Sequence, residues 1–327
     1  MKVALLHNVN RGQSEHETEF DLPITIEAIT HALEKRHQVV PVECTADFRW
    51  AARLALEKPD IAFNVAEGFN GAAREALYPA ICEQIDVPYT GPGPTELLIC
   101  HNKALTKKLL EGSDVPLAWS MVIRDPKELD LLDMQTVPFP LIIKLNTEGS
   151  SLGMDEHCIV HTANALQAQI VKLHAKFHSD IIAEQYIEGT DLSTSFIEGM
   201  GIYGPVEYTY PSGSIYDFRL KSSDNHQVGV GKPHDLDETD QENILKLTEQ
   251  VVRKLDINGY GRADFRYNPT THDLVFLEMN AQVCFHPDGA FVLGATEYSD
   301  ISYEDVVLHI VEHAMKNRRR ISRAGLL

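Results

Sequence analysis

The sequence has few basic residues for its acidic content. It contains 29 lysines and arginines against 48 aspartates and glutamates, a formal net charge of -19. Because nucleic-acid phosphates are bound by positive fields, this balance excludes a general nucleic-acid-binding protein. The sequence also lacks an apolar run near the roughly 20 residues that a membrane span requires. Its opening, "MKVALLHNVN", has no apolar region of a signal peptide. We therefore expect neither a nucleic-acid nor a membrane partner.

Cysteine is scarce and scattered. The five cysteines are an odd number and form no C-x-x-C pair. This pattern excludes a disulfide framework and a cysteine-rich zinc site, and it favours a reducing, cytoplasmic location. His309 and His313 are four residues apart on a predicted helix, but no third ligand accompanies them, so we interpret them as part of a surface helix.

Two glycine-rich nucleotide-binding motifs are also absent. The sequence contains no G-x-x-x-x-G-K-[ST], and its first strand-to-helix turn, "NVNRGQSEHE", lacks G-x-G-x-x-G. The chain therefore matches neither a P-loop protein nor a NAD-dependent Rossmann enzyme.

What is present is a chain of 327 residues with 43% hydrophobic residues, enough for two or three domains. Residues 1–100 alternate strands and helices, which predicts an open parallel α/β sheet with ligands beyond the carboxyl ends of its strands. Gly12, Glu15, Glu67 and Gly68 fall at such ends. Residues 101–187 and 188–327 predict two further α+β domains.

The stretch "KLNTEGSSLGM" begins at Lys144, where the apolar strand "FPLIIK" ends. A flexible loop of glycine and serine offers backbone N–H groups to phosphate oxygens, and the lysine adds positive charge against the same anion. Taken alone, such a pattern is more often an ordinary turn than a phosphate-binding loop.

A second group of polar residues lies in "GYGRADFRYNPTTHDLVFLEMNAQ". Asp264 is in one predicted strand, and Glu278 and Asn280 share a face of the next, because residues two apart in a strand point the same way. Three oxygen ligands of this kind suit Mg²⁺ bound to nucleotide phosphates. Arg262 points to the same face as Asp264. The alternative is an exposed polar face of a hairpin.

The stretch "IIAEQYIEGTDLS" carries Glu184 and Asp191 at and beyond a strand end. The strand backbone and Glu184 could bind an adenine edge, and Asp191 could accept hydrogen bonds from ribose hydroxyls. An acid beside a glycine is also an ordinary turn.

With these pieces in this order, the chain resembles the ATP-grasp ligases, and among them the D-alanine–D-alanine ligases. The resemblance covers nearly the whole chain and rests on "SEHE", "VPYTGPGPTELLICHNKALTKKLL", "IIKLNTEGSSLGM", "EQYIEGTDLS", "YDFRLK", "RADF" and "EMN". It implies an α/β ATP-grasp fold in which a parallel pre-ATP-grasp domain precedes central and C-terminal domains that enclose the nucleotide.

The resemblance also implies residue roles. Three lysines would face the ATP phosphates, residues 148–154 with Ser150 and Ser151 would close over them, and Glu184 and Asp191 would bind adenine and ribose. Asp264, Glu278 and Asn280 would bind Mg²⁺ or Mn²⁺. Arg262 would stabilise the oxyanion, and Glu15 would anchor the ammonium group of the first substrate. The three lysines are Lys103, Lys144 and Lys221; with Glu148 they complete the implied nucleotide site.

The sequence departs from the family on the substrate side. Ala73-Arg74-Glu75-Ala76 stands where the family has Gly-Glu-Asp-Gly, Ser222 follows Lys221 where a tyrosine is usual, and Cys284 and Gly289 lie near the positions of a Pro-Gly turn and a serine. We therefore expect that at least one of the two substrates is not D-alanine. We expect the acceptor to be bound by Arg74, His286 or Asp288 instead.

Two functions follow. One is a ligase that joins an amino acid to an amine or a second amino acid through an acyl phosphate. The other is an ATP-binding regulatory member of the same fold that has lost the reaction. Retention of Arg262 favours the ligase, because binding ATP alone requires no oxyanion donor. The expected partners are small-molecule amino acids or amines, and a homodimer is left open.

Overall fold

The computed structural model describes residues 1–12, 14–211 and 228–317. The predicted phosphate-facing Lys221 and its neighbour Ser222 lie outside these residues. In the part of the chain that is described, no helix combines the length and the apolar character that crossing a bilayer requires.

The first sheet is parallel, as predicted, with the strand order β2-β1-β3. The central strand β1 and its neighbour β3 are almost wholly buried, because helices cover both faces of the sheet. The stretch "VPYTG" contributes only one bridge to this sheet, between Ala62 and Tyr89. The elements are β1 (Lys2–His7), α1 (Pro23–Glu34), β2 (Gln38–Glu43), α2 (Arg49–Glu57), β3 (Ile61–Asn64) and α3 (Leu77–Gln84).

The second sheet is antiparallel, with the order β4-β7-β5-β6. In β5 the residues Leu141, Ile143 and Leu145 are buried in the core under α6, so Lys144 points to the opposite face. Thr162 caps α6 by accepting the N–H of Ala165. The elements are β4 (Ser120–Ile123), β5 (Leu141–Leu145), β6 (Ile159–Val160), α6 (Ala163–Phe177) and β7 (Ile181–Gln185).

The third sheet is also antiparallel, with the order β10-β9-β8-β11-β12. Its strands alternate between the core under helix α7 and the face that carries polar side chains. Asp237 caps α7 by accepting the N–H of Asp240. The elements are β8 (Thr190–Ile197), β9 (Gly201–Thr209), β10 (Gly229–Gly231), α7 (Glu238–Lys254), β11 (Tyr260–Tyr267) and β12 (Leu274–Asn280).

Four helices join these sheets. The helices α4 (Pro94–His101) and α5 (Lys103–Leu110) pack into the core of the third sheet, where Leu97 and Leu110 are buried with Phe276. The helices α8 (Ala290–Thr296) and α9 (Tyr303–Lys316) return to the first sheet. Each of the three predicted domains contains one sheet, but the hydrophobic cores include residues from more than one of them. The predicted domain boundaries therefore stay a prediction.

Candidate functional site

A cavity of about 420 Å³ lies where the three sheets meet. Residues from all three segments line it, because loops at the carboxyl end of the first sheet face the polar faces of the other two. Eleven of the predicted site residues line this cavity: Lys103, Lys144, Glu148, Ser150, Ser151, Glu184, Asp191, Arg262, Asp264, Glu278 and Asn280.

The deep wall of the cavity is built around Glu184. This carboxylate is 2% exposed and pairs with Lys107 at 2.8 Å and with Lys144 at 3.1 Å. Burial alone would raise the pKa of Glu184, but the two lysines outweigh it and lower the pKa to about 2. Glu184 is therefore ionised, and it fixes both ammonium groups against the cavity.

The loop after β5 folds back over the first segment. Lys103 Nζ donates to the carbonyl oxygen of Glu148 at 2.6 Å, and the Gly149 N–H donates to Glu19 Oε1 at 2.6 Å. Ser150 and Ser151 have φ values of 49° and 58°. Non-glycine residues rarely adopt this left-handed region, and holding them there costs energy, which is typical of functional loops.

Arg74 of the first segment also contacts this loop. It is 6% exposed, and its guanidinium lies 2.5 Å from Glu19 and 3.0 Å from Glu148. It also donates to the Thr147 carbonyl oxygen at 3.2 Å. Burial alone would raise the pKa of Glu19, but Arg74 outweighs it and lowers that pKa. The sequence analysis expected Arg74 to bind the acceptor substrate. In the structure its guanidinium is instead paired with Glu19 and Glu148 and contacts the loop.

The third sheet places the predicted metal ligands together. In the register of β11 and β12, Asp264 pairs with Glu278 and Arg262 pairs with Asn280, which confirms the predicted arrangement. Arg262 donates two hydrogen bonds to Asp264, at 2.8 and 2.7 Å. Ser193 Oγ at 2.6 Å and Asn280 Nδ2 at 2.8 Å also donate to Asp264, and Glu278 lies 3.2 Å from Lys103.

Asp264, Glu278 and Asn280 together offer two carboxylates and one amide oxygen. Such an all-oxygen set fits Mg²⁺ or Mn²⁺ and disfavours zinc. The positive charge of the adjacent Lys103 would attract an anion that shares the metal, as nucleotide phosphates do.

At another edge of the cavity, Asp191 of β8 lies 2.8 Å from Arg266 and accepts a hydrogen bond from Tyr210 at 2.7 Å. Arg266 also donates to the Ile187 carbonyl oxygen at 3.0 Å. Asp191 is thereby fixed at the cavity edge, where its predicted role toward ribose stays a prediction.

Glu15 is not among the residues that line the cavity. It lies on the surface, half exposed, and pairs with Lys176 of α6 at 2.7 Å. The stretch "SEHETE" offers three acids within a short turn; Glu15 and Glu17 belong to the 3₁₀ turn Glu15–Glu17, whereas Glu19, four residues after Glu15, enters the cavity. The prediction of Glu15 as a substrate anchor is not supported by this placement.

The wall that the first segment contributes to the cavity is acidic. Glu19, Glu67 and Glu75 line it, and Asp21 lies behind Cys284, whose Sγ–H donates to Asp21 at 3.6 Å. Burial raises the pKa of Asp21 to about 7 despite this bond. Burial and the negative charge of Asp21 raise the pKa of the Cys284 thiol to about 12, so this thiol is not a nucleophile.

The family described as D-ala D-ala ligase C-terminus matches residues 113–312. The chain belongs to this family. A curated relative, the D-alanine–D-alanine ligase of Gluconobacter oxydans, is 27% identical over 319 residues, which are 96% of this chain and 99% of the relative.

Solved structures show the same fold. The D-alanine–D-alanine ligase from Bacillus anthracis complexed with ATP has a TM-score of 0.76 at 17% identity, covering 98% of this chain and 99% of its own. The VanG D-Ala:D-Ser ligase from Enterococcus faecalis also has a TM-score of 0.76 at 17% identity, covering 96% and 99%. The predicted ATP-grasp fold is confirmed. The relatives do not favour the alternative of a regulatory protein without ligase activity.

Several residues of this ligase-family cavity were missed by the sequence analysis. Lys107 follows Lys103 by four residues on α5, so both point to the same side, and that spacing could have identified it. Arg266 follows Asp264 by two residues in β11 in the same way. Glu19, Glu75 and His101 carry no such signal, because only packing between segments brings them to the cavity.

Proposed function

We propose that this chain is an ATP- and Mg²⁺-dependent carboxylate–amine ligase that joins an amino acid to a second amino acid or amine. The observation that carries this proposal is the antiparallel pairing of β11 and β12. It brings Arg262, Asp264, Glu278 and Asn280 to one wall, with Lys103 and Lys144 close by, under the loop of residues 148–154. The ligase names of the relatives support the same reaction.

In this proposal the nucleotide lies between the second and third sheets. Lys103 and Lys144 face its phosphates, and the backbone of Gly149, Ser150 and Ser151 closes over them. Glu184 and Asp191 lie at the adenine and ribose end. Lys221, the third predicted lysine, belongs to residues that the structure does not describe.

The chemistry follows from the weakness of a carboxylate as an electrophile. Transfer of the terminal phosphoryl group of ATP to the carboxylate gives an acyl phosphate, whose phosphate then leaves when the amine attacks. Arg262 lies on the wall where the oxyanion of that attack would form, and a guanidinium stabilises such a charge. Asp264, Glu278 and Asn280 would hold Mg²⁺, which neutralises charge on the phosphates.

The test is release of ADP and phosphate, measured with D- and L-amino acids offered singly and in pairs. Activity should require Mg²⁺ or Mn²⁺ and should be lost in Glu278→Gln, which removes one anionic ligand while preserving the size of the side chain. Glu242→Gln, a change at an exposed ion pair of α7 with Lys246, is the matched control. Full activity in excess EDTA, or in Glu278→Gln, would contradict the metal assignment.

We also propose a cytoplasmic location, since all five cysteines are free and four are buried. A homodimer stays a prediction, for which sedimentation of the purified chain is the measurement.

A further inference from the structure

Lys107 is a buried lysine of α5 that contacts two other elements. It is 4% exposed, and its Nζ lies 2.8 Å from Glu184 Oε1 of β7. The same ammonium group donates to the Phe276 carbonyl oxygen of β12 at 3.3 Å. Burying an ammonium group costs free energy, and lysines are almost never buried to this degree unless they are paired. An apolar side chain would fill this position without that cost, so the burial of Lys107 indicates that its charge has a function.

Glu184 holds two lysines on one carboxylate. Lys107 lies against Oε1, and Lys144 Nζ lies 3.1 Å from Oε2. Burial alone would lower the pKa of Lys144, but the charges of Glu184 and then Glu278 outweigh it and raise that pKa, so Lys144 stays protonated. Two positive charges against one negative charge leave one positive charge in excess. All three side chains line the cavity, so this excess acts on a ligand there.

Three other cations of the cavity each face an acid, so their charges are balanced within the wall before any ligand arrives. Nucleotide phosphates carry several negative charges, and an enclosed cavity weakens charge interactions less than water does. The excess charge at Glu184 therefore favours the binding of phosphates. The three balanced pairs are Lys103 with Glu278, Arg262 with Asp264, and Arg266 with Asp191.

The excess positive charge depends on Lys107. Without it, Glu184 would keep Lys144 as its partner, and that pair has no net charge. Lys144 would still reach the cavity, but the carboxylate beside it would cancel much of its attraction for a phosphate, because the two opposite charges act from similar distances. Lys107 can therefore strengthen phosphate binding without touching the nucleotide.

We propose that Lys107 is a positioning residue that neutralises Glu184 and thereby leaves the charge of Lys144 available to the nucleotide phosphates. This inference rests on the nucleotide binding of the proposed function. A purely structural role, in which Lys107 only joins α5 to β7 and β12, predicts a different result. Loss of such a joint would weaken nucleotide binding whether or not residue 184 is charged.

The experiment compares the affinities of the full chain for ADP and for adenosine, measured by calorimetry. The ratio of the two affinities isolates the phosphates, because both ligands carry the same base and ribose. Lys107→Met keeps the length of the side chain, removes its charge and should lower this ratio roughly 10- to 100-fold. Lys107→Arg keeps the charge and should keep the ratio close to that of wild type. Lys108→Met, at the exposed neighbouring position of α5, is the matched control and should leave the ratio unchanged.

Glu184→Gln separates the charge of Lys107 from its structural contacts. Combined with Lys107→Met, it again leaves one positive charge in excess, that of Lys144, so the double variant should recover a ratio close to that of wild type. A double variant with a ratio as low as that of Lys107→Met would overturn the inference, and so would a wild-type ratio in Lys107→Met. If Lys107→Met fails to fold, Glu184→Gln alone decides. Its two uncompensated lysines should raise the ratio, and a ratio at or below that of wild type would overturn the inference.

Kinetics distinguish this inference from the proposed function. In Lys107→Met the KM for ATP should rise while the KM for the amino acid stays unchanged, and an equal rise in both would contradict a role confined to the phosphates. If no amino acid stimulates ADP release, the ligase reaction fails, and the ratio of ADP to adenosine affinity still decides on Lys107. Absence of ADP binding to the wild type would overturn the inference.

Discussion

Lys144 shares the carboxylate of Glu184 with Lys107, so its charge is positioned before any nucleotide arrives. Because such a preorganised cation acts on phosphates in an enclosed site, its removal should be costly. We predict that Lys144→Ala raises the KM for ATP and lowers kcat, with a combined loss on the order of 10²-fold or more. Lys107 remains to pair with Glu184, so the fold should persist.

Steady-state kinetics against ATP, with a thermal melt to confirm folding, is the measurement for Lys144→Ala. Lys108→Ala removes a lysine from an exposed position of α5 and is the matched control. ATP kinetics that are the same in Lys144→Ala and wild type would exclude a phosphate-facing role for Lys144. Lys221→Ala should behave as Lys144→Ala does, a prediction from the family resemblance alone.

Among the elements, the loop of residues 148–154 is held by contacts with other segments. Its polar contacts to the first segment include those with Glu19 and Arg74, and Ser150 and Ser151 adopt backbone conformations that cost energy. Segments with little packing of their own open readily unless a ligand stabilises them. We predict weak protection of residues 148–154 from hydrogen exchange without nucleotide, and strong protection with a non-hydrolysable ATP analogue.

The contribution of Arg74 can be separated in the same experiment. Arg74→Met should further reduce protection of the loop without nucleotide, since it removes the ion pairs with Glu19 and Glu148. Arg36→Met breaks the exposed pair with Glu312 at 2.8 Å and should leave the loop unaffected, because exposed ion pairs contribute little. Equal protection with and without the analogue would argue against a closing loop.

At the scale of the whole molecule, the ATP side and the substrate side of the cavity differ in how far they match the family. The metal corner and the lysines match, whereas Cys284 and Gly289 replace the expected turn and serine. A glycine cannot donate the hydroxyl hydrogen bond that an acceptor carboxylate requires. A buried carboxylate without such a donor weakens the binding free energy of the acceptor by roughly several kcal/mol. Asp288 also lines this end of the cavity and would repel such a carboxylate.

We therefore predict that D-alanine alone drives little ADP formation, and that a different amino acid or amine, added as acceptor, restores it. The measurement is ADP release with D-alanine fixed and the second substrate varied. Brisk synthesis of D-alanyl-D-alanine with KM values in the millimolar range or below at both sites would contradict this expectation. Backbone N–H groups would then have to bind the acceptor carboxylate.

The sequence by itself determined whatever depends on local periodicity. The alternation of β11 and β12 was enough to place Arg262, Asp264, Glu278 and Asn280 on one face, because side chains in a strand repeat every two residues. The apolar run that ends at Lys144 identified both the strand and the loop that follows it. The order of these pieces identified the family.

Only the tertiary structure decided which residues meet across segments. No local pattern distinguishes Glu15 from Glu19 in "SEHETE", yet one lies at the surface and the other binds Gly149. Arg74 belongs to the first segment and holds a loop of the second, and the pairing of Glu75 with His101 depends on the packing between the α3 and α4 regions. These contacts join residues distant in sequence, and their partners are chosen by how the three cores pack, a property that strand and helix periodicity does not encode.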